Sequence, residues 1–505
     1  MEYLVPGLLE VLSMQNLLLI NFGILLGMIF GAIPGLTGVL GMTLCLPLTF
    51  SMEPVTAIVF LLGIYCGGAF GGSITAILIG TPGTGQAAAT LLDGYPLAKK
   101  GYAYKALMMA LVASCIGGFI SALSLIAFAP IIARFAMKFG PPEYFVLAIF
   151  GLSIVGAISG KDIVKGILMG CVGFFLAMIG LDNISGVFRF TFDSMYLYGG
   201  LSFIGILMGV FAISKVMIDM SDHFYHKKSV VQIPSDEEIS LDTHDKLTLS
   251  DMKNSIRTIF KSSAIGVVIG AIPAAGGGIA AFMSYNEAKR SSKHPETFGQ
   301  GEIEGVAAAE SANNAITGSS LIPMLTVGIP GSGGAAALMG ALTIQGLAPG
   351  PMLFKDFGFE MYAIMIGLIL INIFMYFQGI GLMRFFVKVT KVPDSFILAS
   401  LVFLCAAGTY SAGRNIFDVF ILMGSGIVFF VFHRFNYPLI PVVLGFILGS
   451  LAEDNFRRTL VMSNGSLSIF LNRPICIVFI VLTVLILIGV ARQNSRADKK
   501  IQGSI

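Results

Sequence analysis

Long apolar stretches recur along the chain from Asn16 to the C-terminus, and mostly short polar links separate them. A helix that crosses the hydrocarbon core of a bilayer needs roughly 20 apolar residues. On this length rule the pattern predicts roughly ten to twelve segments that cross or enter a membrane. The expected fold class is therefore an all-α polytopic membrane protein.

The composition supports a membrane protein. Hydrophobic residues make up 56% of the 505 positions and charged residues 12%, and the mean hydropathy is +0.88, which leaves too little polar surface for a soluble globule. The net charge of +3 is too small to indicate a nucleic-acid partner. No basic region precedes the first apolar run, so we expect no removable signal peptide. The six cysteines stand singly in apolar segments, which is typical of buried hydrophobes.

Four clusters of proline and glycine interrupt the apolar stretches, and they form two similar pairs. GAIPGLTG at Gly31 resembles GAIPAAGGG at Gly270, and GTPGTGQAAAT at Gly80 resembles GIPGSGGAAAL at Gly328. The members of the two pairs lie 239 and 248 residues apart. The similar order and spacing predict an internal repeat, which is common in secondary transporters.

Basic residues indicate opposite orientations for the two copies, which span about 16–98 and 259–350. The link SMEP (51–54) in the first copy has no basic residue, whereas NEAKRSSKHPE (286–296) in the second has three. Cytoplasmic links are enriched in lysine and arginine, so the copies are predicted to form an inverted-topology repeat. The same rule predicts a periplasmic N-terminus and a cytoplasmic C-terminus.

Each cluster is expected to end a helix inside the membrane, because proline lacks an N–H and glycine leaves helical dihedrals easily. We predict re-entrant hairpins with tips at Pro34 and Pro273, and crossing helices broken at Pro82 and Pro330. Such breaks persist only where protein or a hydrated cavity surrounds them. Their exposed N–H groups suit an anion and their free carbonyls suit a cation.

The predicted organisation follows from these features. It comprises an interfacial N-terminal segment (1–15), a first repeat core (16–105), flanking helices (106–216), a cytoplasmic linker (217–258), a second repeat core (259–350), further flanking helices (351–491) and a cytoplasmic tail (492–505).

Polar residues inside apolar segments are candidates for a transport pathway, because they are unfavourable in a membrane. Asn313, Thr317 and Ser320 share one helical face at i, i+4 and i+7, and Asn314 lies one step away. The alternative is interhelical hydrogen bonding. Glu310 is a candidate to carry a proton or to pair with a cation, or it lies near the cytoplasmic end of its segment.

We expect substrate or ion binding at the breaks and at this polar face, with Na⁺ as a further ligand whose protein ligands are not assigned. The alternatives are helix packing for the glycines and helix capping for the hydroxyls. The candidate residues are Gly35, Thr37, Gly38, Thr81, Pro82, Gly83, Thr84, Ala274, Gly276, Gly277, Asn313, Asn314, Thr317, Pro330, Gly331, Ser332 and Gly333.

Several phrases of this sequence resemble the large permease subunit of tripartite tricarboxylate transporters, the TctA family: GAIPGLTG, GTPGTGQAAATLLDGYPLAKKG, TVGIPGSGGAAALMGAL and the long run from AIPAAGGG to AAAESANNA. The resemblance implies a symporter of the bacterial inner membrane that takes up citrate or another carboxylate with Na⁺ or H⁺. It further implies two partners, a small TctB-like membrane subunit and a periplasmic TctC-like solute-binding protein. A non-transporting scaffold is the first alternative. An intramembrane enzyme is the second, and no catalytic constellation or cofactor motif supports it.

Overall fold

A computed structural model describes residues 3–33, 36–158, 163–182, 184–226, 246–272, 276–389, 394–486 and 488. The predicted hairpin tips at Pro34 and Pro273, the candidate residues Gly35 and Ala274, and the tail 492–505 lie outside the described residues.

The described part of the first half of the chain is almost entirely helical. Its α-helices are α1 (Leu4–Val11), α2 (Met14–Gly31), α3 (Gly38–Cys45), α4 (Pro54–Leu78), α5 (Leu91–Leu97), α6 (Ala103–Ala136), α7 (Pro141–Ile158), α8 (Ile163–Ala177), α9 (Phe203–Met208) and α10 (Ser214–His226). A 3₁₀ helix (Leu46–Ser51) follows α3, and a second one (Gly85–Ala88) precedes α5. Two short strands, β1 (Gly180–Leu181) and β2 (Phe188–Arg189), pair antiparallel.

The described part of the second half of the chain is also mostly helical. Its α-helices are α11 (Leu249–Gly270), α12 (Gly276–Ser291), α13 (Ile303–Ser319), α14 (Leu321–Val327), α15 (Gly333–Ile344), α16 (Leu353–Asp356), α17 (Gly358–Val389), α18 (Asp394–Gly413), α19 (Ile416–Arg434) and α20 (Ile440–Met462).

Six helical stretches among the described residues are long and apolar enough to cross a membrane. They are Met14–Gly31, Pro54–Leu78, Leu91–Ala136, Phe203–Ser221, Gly358–Met383 and Ile416–Arg434. Shorter apolar helices, such as α8 and α15, accompany them. The prediction of an all-α polytopic membrane protein is confirmed.

The chain forms two compact units. The first contains Met1–Ala133 and Ile218–Gly408, and the second contains Arg134–Met217 and Thr409–Ile505. Both predicted repeat cores lie in the first unit. Most of α6 and all of α17, which the sequence placed among the flanking helices, belong to that unit as well.

The second unit combines close helix packing with an ion pair whose carboxylate is buried. In it, α20 packs against α7 and α8. A side chain at Gly445 on α20 would collide with the Gly170 carbonyl of α8, so the small residue permits this approach. Arg473 donates to Glu143 at 3.0 Å, and the Glu143 side chain is 4% exposed.

In the first unit, the two repeats use the same packing order. In the first repeat α2 and α3 pack on α4, and in the second α11 and α12 pack on α13. Helix α11 begins at Leu249, ten residues before the predicted hairpin arm and inside the predicted linker. The reason is the capping box in which Thr248 and Asp251 satisfy each other's backbone N–H groups.

Candidate functional site

Both crossing helices end at the predicted break in the same backbone conformation. Helix α4 ends at Leu78 and α14 ends at Val327. The glycines that follow, Gly80 and Gly328, have φ of 75° and 77°. These values lie in the left-handed region that glycine adopts at helix C-termini. The two glycines occupy equivalent positions in the sequence repeat.

A second pair of glycines forms equivalent hydrogen bonds. The Gly83 N–H donates to the Gly72 carbonyl at 3.1 Å, and the Gly331 N–H donates to the Ser320 carbonyl at 3.3 Å. Each of these break glycines also lies against the end of the preceding hairpin arm. A Cβ at Gly331 would lie 2.8 Å from the Gly270 carbonyl oxygen, so the backbones approach too closely for any side chain.

Hydroxyl side chains cap the helices that start at these breaks. Thr84 accepts from the Ala87 N–H at 3.3 Å, and Ser332 accepts from the Ala335 N–H at 3.1 Å. Thr37 caps α3 in the same way. The capping role that the sequence left open for these residues is therefore present in the structure.

The two breaks differ in exposure. In the first break Thr81, Pro82 and Thr84 are half-buried, and Gly85 is exposed. In the second break residues 328–332 are all buried.

An aromatic side chain of the first repeat covers the second break. The Tyr65 hydroxyl on α4 lies 3.1 Å from Ser332 Oγ, and Ser332 Oγ lies 3.3 Å from Ser320 Oγ. A Cβ at Gly334 would collide with the Tyr65 ring. Each repeat thus places a side chain against the other, because the Gln86 side chain beside the first break lies against Gly277 at the start of α12.

The polar face of α13 is completely buried and bonds to neighbouring helices. Asn313 Nδ2 donates to the Ala69 carbonyl at 3.3 Å, and Asn314 Nδ2 donates to Ser114 Oγ at 2.8 Å. Thr317 instead donates to the Asn314 carbonyl of its own helix at 2.7 Å. Among the described residues, neither Asn313 Oδ1 nor Asn314 Oδ1 has a hydrogen-bond partner. Two buried amide oxygens of this face therefore lack a hydrogen-bond partner within the described residues.

Glu310 lies at the centre of this network. Its side chain is 0% exposed within α13, so it does not lie at an exposed helix end. Glu310 Oε1 accepts from Ser73 Oγ at 2.5 Å and from Thr90 Oγ1. Glu310 Oε2 accepts from Ser114 Oγ at 2.9 Å, and Asn314 Nδ2 lies 3.4 Å away.

A second buried carboxyl group, Asp93 on α5, binds the loop that follows α12. Asp93 Oδ1 accepts from the backbone N–H groups of Gly299, Gly301 and Glu302, each at 2.8 Å. Asp93 Oδ2 accepts from the Tyr285 hydroxyl at 2.9 Å. This carboxylate joins an element of the first repeat to the second repeat.

The remaining candidates lie at the starts of helices. Gly38 begins α3, and its Cβ would lie 3.0 Å from the Gly68 Cα of α4. Gly276 begins α12 with φ of 72°, and Gly333 begins α15. Pro330 lies in the buried second break.

The sequence-based candidates did not include the hydroxyls that surround α13. On α6, Ser114 bonds to Glu310, and Ser121 accepts from the backbone N–H groups of Gly318 and Ser319. The signal was present, because Ser114, Gly118 and Ser121 share a helical face at i, i+4 and i+7. Ser73 and Thr90 lie on either side of the first break. The sequence-based candidates included only the hydroxyl residues inside this break.

Comparison with known proteins identifies the family. Residues 17–444 match the Tripartite tricarboxylate transporter TctA family. The chain belongs to this family. The match covers both repeats, so this member of the TctA family is a multi-pass membrane component of a tripartite transporter rather than an enzyme.

Two relatives come from Agrobacterium vitis. One, an uncharacterized 52.8 kDa protein in the TAR-I ttuC′ 3′ region, is 36% identical over 471 residues, which are 93% of this chain and 92% of the relative. The other, an uncharacterized protein in the TAR-II ttuC′ 3′ region, is 36% identical over 210 residues, 42% of this chain and 87% of the relative. No solved structure matches the chain significantly.

Proposed function

We propose that this TctA-family protein is the permease that moves a carboxylate across the bacterial inner membrane by secondary active transport. The substrate class comprises tricarboxylates such as citrate and related di- and monocarboxylates, and a Na⁺ or H⁺ gradient drives uptake. The observation that carries the proposal is the pair of matched helix breaks, which have the same left-handed glycine, the same N–H to carbonyl bond and a hydroxyl cap.

The chemistry of the breaks suits a carboxylate. Residues 54–98 and 303–345 contain no lysine or arginine, so the negative charge of the substrate must be balanced by other groups. The N-terminus of α15 offers backbone N–H groups, the positive end of a helix dipole and the Ser332 hydroxyl. A co-transported cation offsets the remaining charge, which is the physical reason to expect symport.

The difference in exposure between the breaks supports alternating access. The half-buried first break is accessible while the second break is closed by Tyr65. An inverted repeat converts between two such states when the two copies exchange conformations. In this scheme the first break opens to the cytoplasm. The segment that follows it contains Lys99 and Lys100, and lysine-rich links are typically cytoplasmic.

The partners follow from the tripartite family. We propose that a periplasmic TctC-like binding protein delivers the carboxylate and that a small TctB-like membrane subunit completes the complex. The N-terminus is then periplasmic and the C-terminus cytoplasmic.

The test is uptake of labelled citrate and a panel of di- and monocarboxylates into cells. The cells express this chain with both presumed partners, and matched cells lack one component at a time. Imposed Na⁺ and H⁺ gradients are applied separately. We expect accumulation that needs all three proteins and one of the two gradients. Absence of accumulation for every carboxylate, with all three proteins present in the membrane fraction or periplasm, would contradict the proposal.

A further inference from the structure

The environment of Glu310 contains hydroxyl groups where a buried carboxylate usually has a basic partner. Ser73, Thr90 and Ser114 all bond to its two carboxyl oxygens. In the described part of the chain, no lysine, arginine or histidine lies within ion-pair distance of Glu310, which is 0% exposed. An unpaired buried charge is strongly unfavourable, so this site favours a cation that neutralises the carboxylate.

Hydroxyl neighbours allow Glu310 to exist in more than one state. A serine or threonine hydroxyl donates to a carboxylate, and after rotation it accepts from a protonated carboxyl group. Its lone pairs also ligate hard cations, which prefer oxygen. The free Asn313 Oδ1 and Asn314 Oδ1 atoms add two buried oxygens on the following turn of α13.

Asp93 provides the contrast within the same unit. Three of its four bonds come from backbone N–H groups, which only donate and cannot accept from a protonated carboxyl group. The structure holds one buried carboxyl group in a fixed environment and another in an environment that adapts.

The location of Glu310 connects it to the first break. Ser73 precedes this break on α4, and Thr90 follows it immediately before α5; both donate to the same atom, Glu310 Oε1. A cation on this oxygen changes the hydrogen bonds on both sides of the break at once. Binding at Glu310 is thus coupled to the conformation of the break through direct hydrogen bonds.

We propose that Glu310 binds the coupling cation, H⁺ or Na⁺, and that this binding controls the first break. This inference rests on the proposed function as a cation-coupled carboxylate transporter. It adds the residue at which coupling occurs and the hydroxyls, from Ser73, Thr90 and Ser114, through which it acts.

Other titratable groups on the helices around α13 define the controls. The buried ones are Tyr65 and Cys66 on α4, Asp93 on α5, Cys115 on α6 and Tyr285 on α12. In the described parts of α11 and α17 the buried residues include no titratable group. Of this set only Asp93 and Glu310 are carboxyl groups.

The experiment measures the apparent unfolding temperature of the purified full-length chain in detergent. The probes are NaCl against KCl at equal ionic strength, and a pH series from about 5 to about 8 in KCl. We expect the wild type to be stabilised by Na⁺, or by acidification if the cation is H⁺. Glu310→Gln, which has the shape of the neutral form, is expected to lose this dependence. The control Asp93→Asn is expected to unfold at lower temperature and to retain the dependence.

Two results would overturn the inference: a wild type that responds to neither probe, or Glu310→Gln with an unchanged response. If Glu310→Gln does not fold, Glu310→Asp replaces it. The shorter side chain is expected to raise the Na⁺ concentration needed for half the effect about tenfold, or to shift the pH response by about one unit. An unchanged midpoint in Glu310→Asp would equally overturn it.

Transport separates this inference from the proposed function. In proteoliposomes Glu310→Gln is expected to exchange labelled carboxylate across the membrane but not to accumulate it against a gradient. Accumulation by both wild type and Glu310→Gln would contradict the role of Glu310 and leave carboxylate transport intact. Failure of the wild type itself would contradict the proposed function.

Discussion

The two helix breaks share a backbone conformation and differ in their surroundings. Gly80 and Gly328 have nearly the same positive φ, and equivalent N–H to carbonyl bonds close both loops. The first break is half-buried, however, whereas the second is buried beneath the Tyr65 hydroxyl. The same backbone conformation therefore occurs in two environments that differ in burial, which is the difference on which the proposed alternating access rests.

The anchoring of the two breaks differs as well. Beyond the first break, Asp93 accepts four hydrogen bonds from the second repeat. Beyond the second break, Gln345 donates one bond to the Thr49 carbonyl of the first repeat at 2.7 Å. The two contacts stand at different positions of the repeat, and they differ in strength. We infer that the helix after the first break is the more firmly held of the two.

The largest expected effect on carboxylate uptake comes from adding a methyl group at either break. Gly331→Ala places Cβ 2.8 Å from the Gly270 carbonyl oxygen, and Gly83→Ala collides with the Gly31 carbonyl. Backbone atoms cannot move aside cheaply, so the overpacking costs at least about 1–3 kcal/mol. Both variants are expected to reach the membrane and to lose uptake of labelled carboxylate.

Gly381→Ala on α17 is the matched control for these variants, because no atom lies within 4 Å of its added Cβ. We expect its uptake to equal that of the wild type. Normal uptake by Gly83→Ala or Gly331→Ala would show that the closely packed break is not part of the transport pathway.

Replacing Asp93 and Gln345, whose hydrogen bonds hold the segments after the two breaks, should lower the stability of the protein by different amounts. Asp93→Ala leaves three backbone N–H groups without their acceptor and is expected to cost about 3 kcal/mol or more. Gln345→Ala removes one bond and is expected to cost about 1 kcal/mol. Apparent unfolding temperatures of the two variants measure this difference. Equal losses would contradict the unequal anchoring.

Tyr65→Phe should have a smaller and more local effect. It removes the hydroxyl 3.1 Å from Ser332 Oγ and retains the ring. One hydrogen bond of about 1 kcal/mol corresponds to roughly a fivefold change in the open population. We expect a cysteine at Gly333→Cys, which leaves the Ser332 hydroxyl in place, to react about fivefold faster with a thiol reagent when Tyr65→Phe is also present. An unchanged rate would show that Tyr65 does not close the second break.

The smallest effect is expected at the polar end of α12. Hydrogen bonds from Arg290, and then from Lys261, lower the pKa of Glu287 to about 2. A carboxyl group with a lowered pKa stabilises the fold above its unfolded pKa of about 4.3 and loses that contribution as the pH falls towards 2. The unfolding temperatures of wild type and Glu287→Gln should therefore converge below about pH 4. A constant difference at all pH values would contradict this contribution.

Sequence patterns alone predicted the all-α membrane fold, and the matched break clusters are found in the structure as equivalent loops. Proline, glycine and hydroxyl residues at Gly80, Thr84, Gly328 and Ser332 act through local backbone rules, so their positions were readable from the sequence. The start of α11 at Leu249 also had a local signal, the Thr248 and Asp251 capping box, although it lay inside a polar stretch that resembled a linker.

Contacts between distant segments could not be predicted from the sequence. Glu310 and Ser73 are separated by 237 residues, and Glu310 and Thr90 by 220, so no local pattern joins them. The helical face of Asn313 and Thr317 was predicted, but Thr317 bonds within its own helix while Asn314 bonds outward. Which neighbour packs on each face of a helix depends on tertiary structure.

The most direct measurement is thiol labelling of the two breaks with and without a carboxylate that the complex accumulates. Gly85→Cys and Gly333→Cys are made separately in a Cys171→Ala background, since Cys171 is exposed and the other five cysteines are buried. We predict faster labelling of Gly85→Cys in the absence of substrate, and opposite changes at the two positions during transport. Rates that change in the same direction, or that do not respond to a transported carboxylate, would contradict alternating access at these breaks.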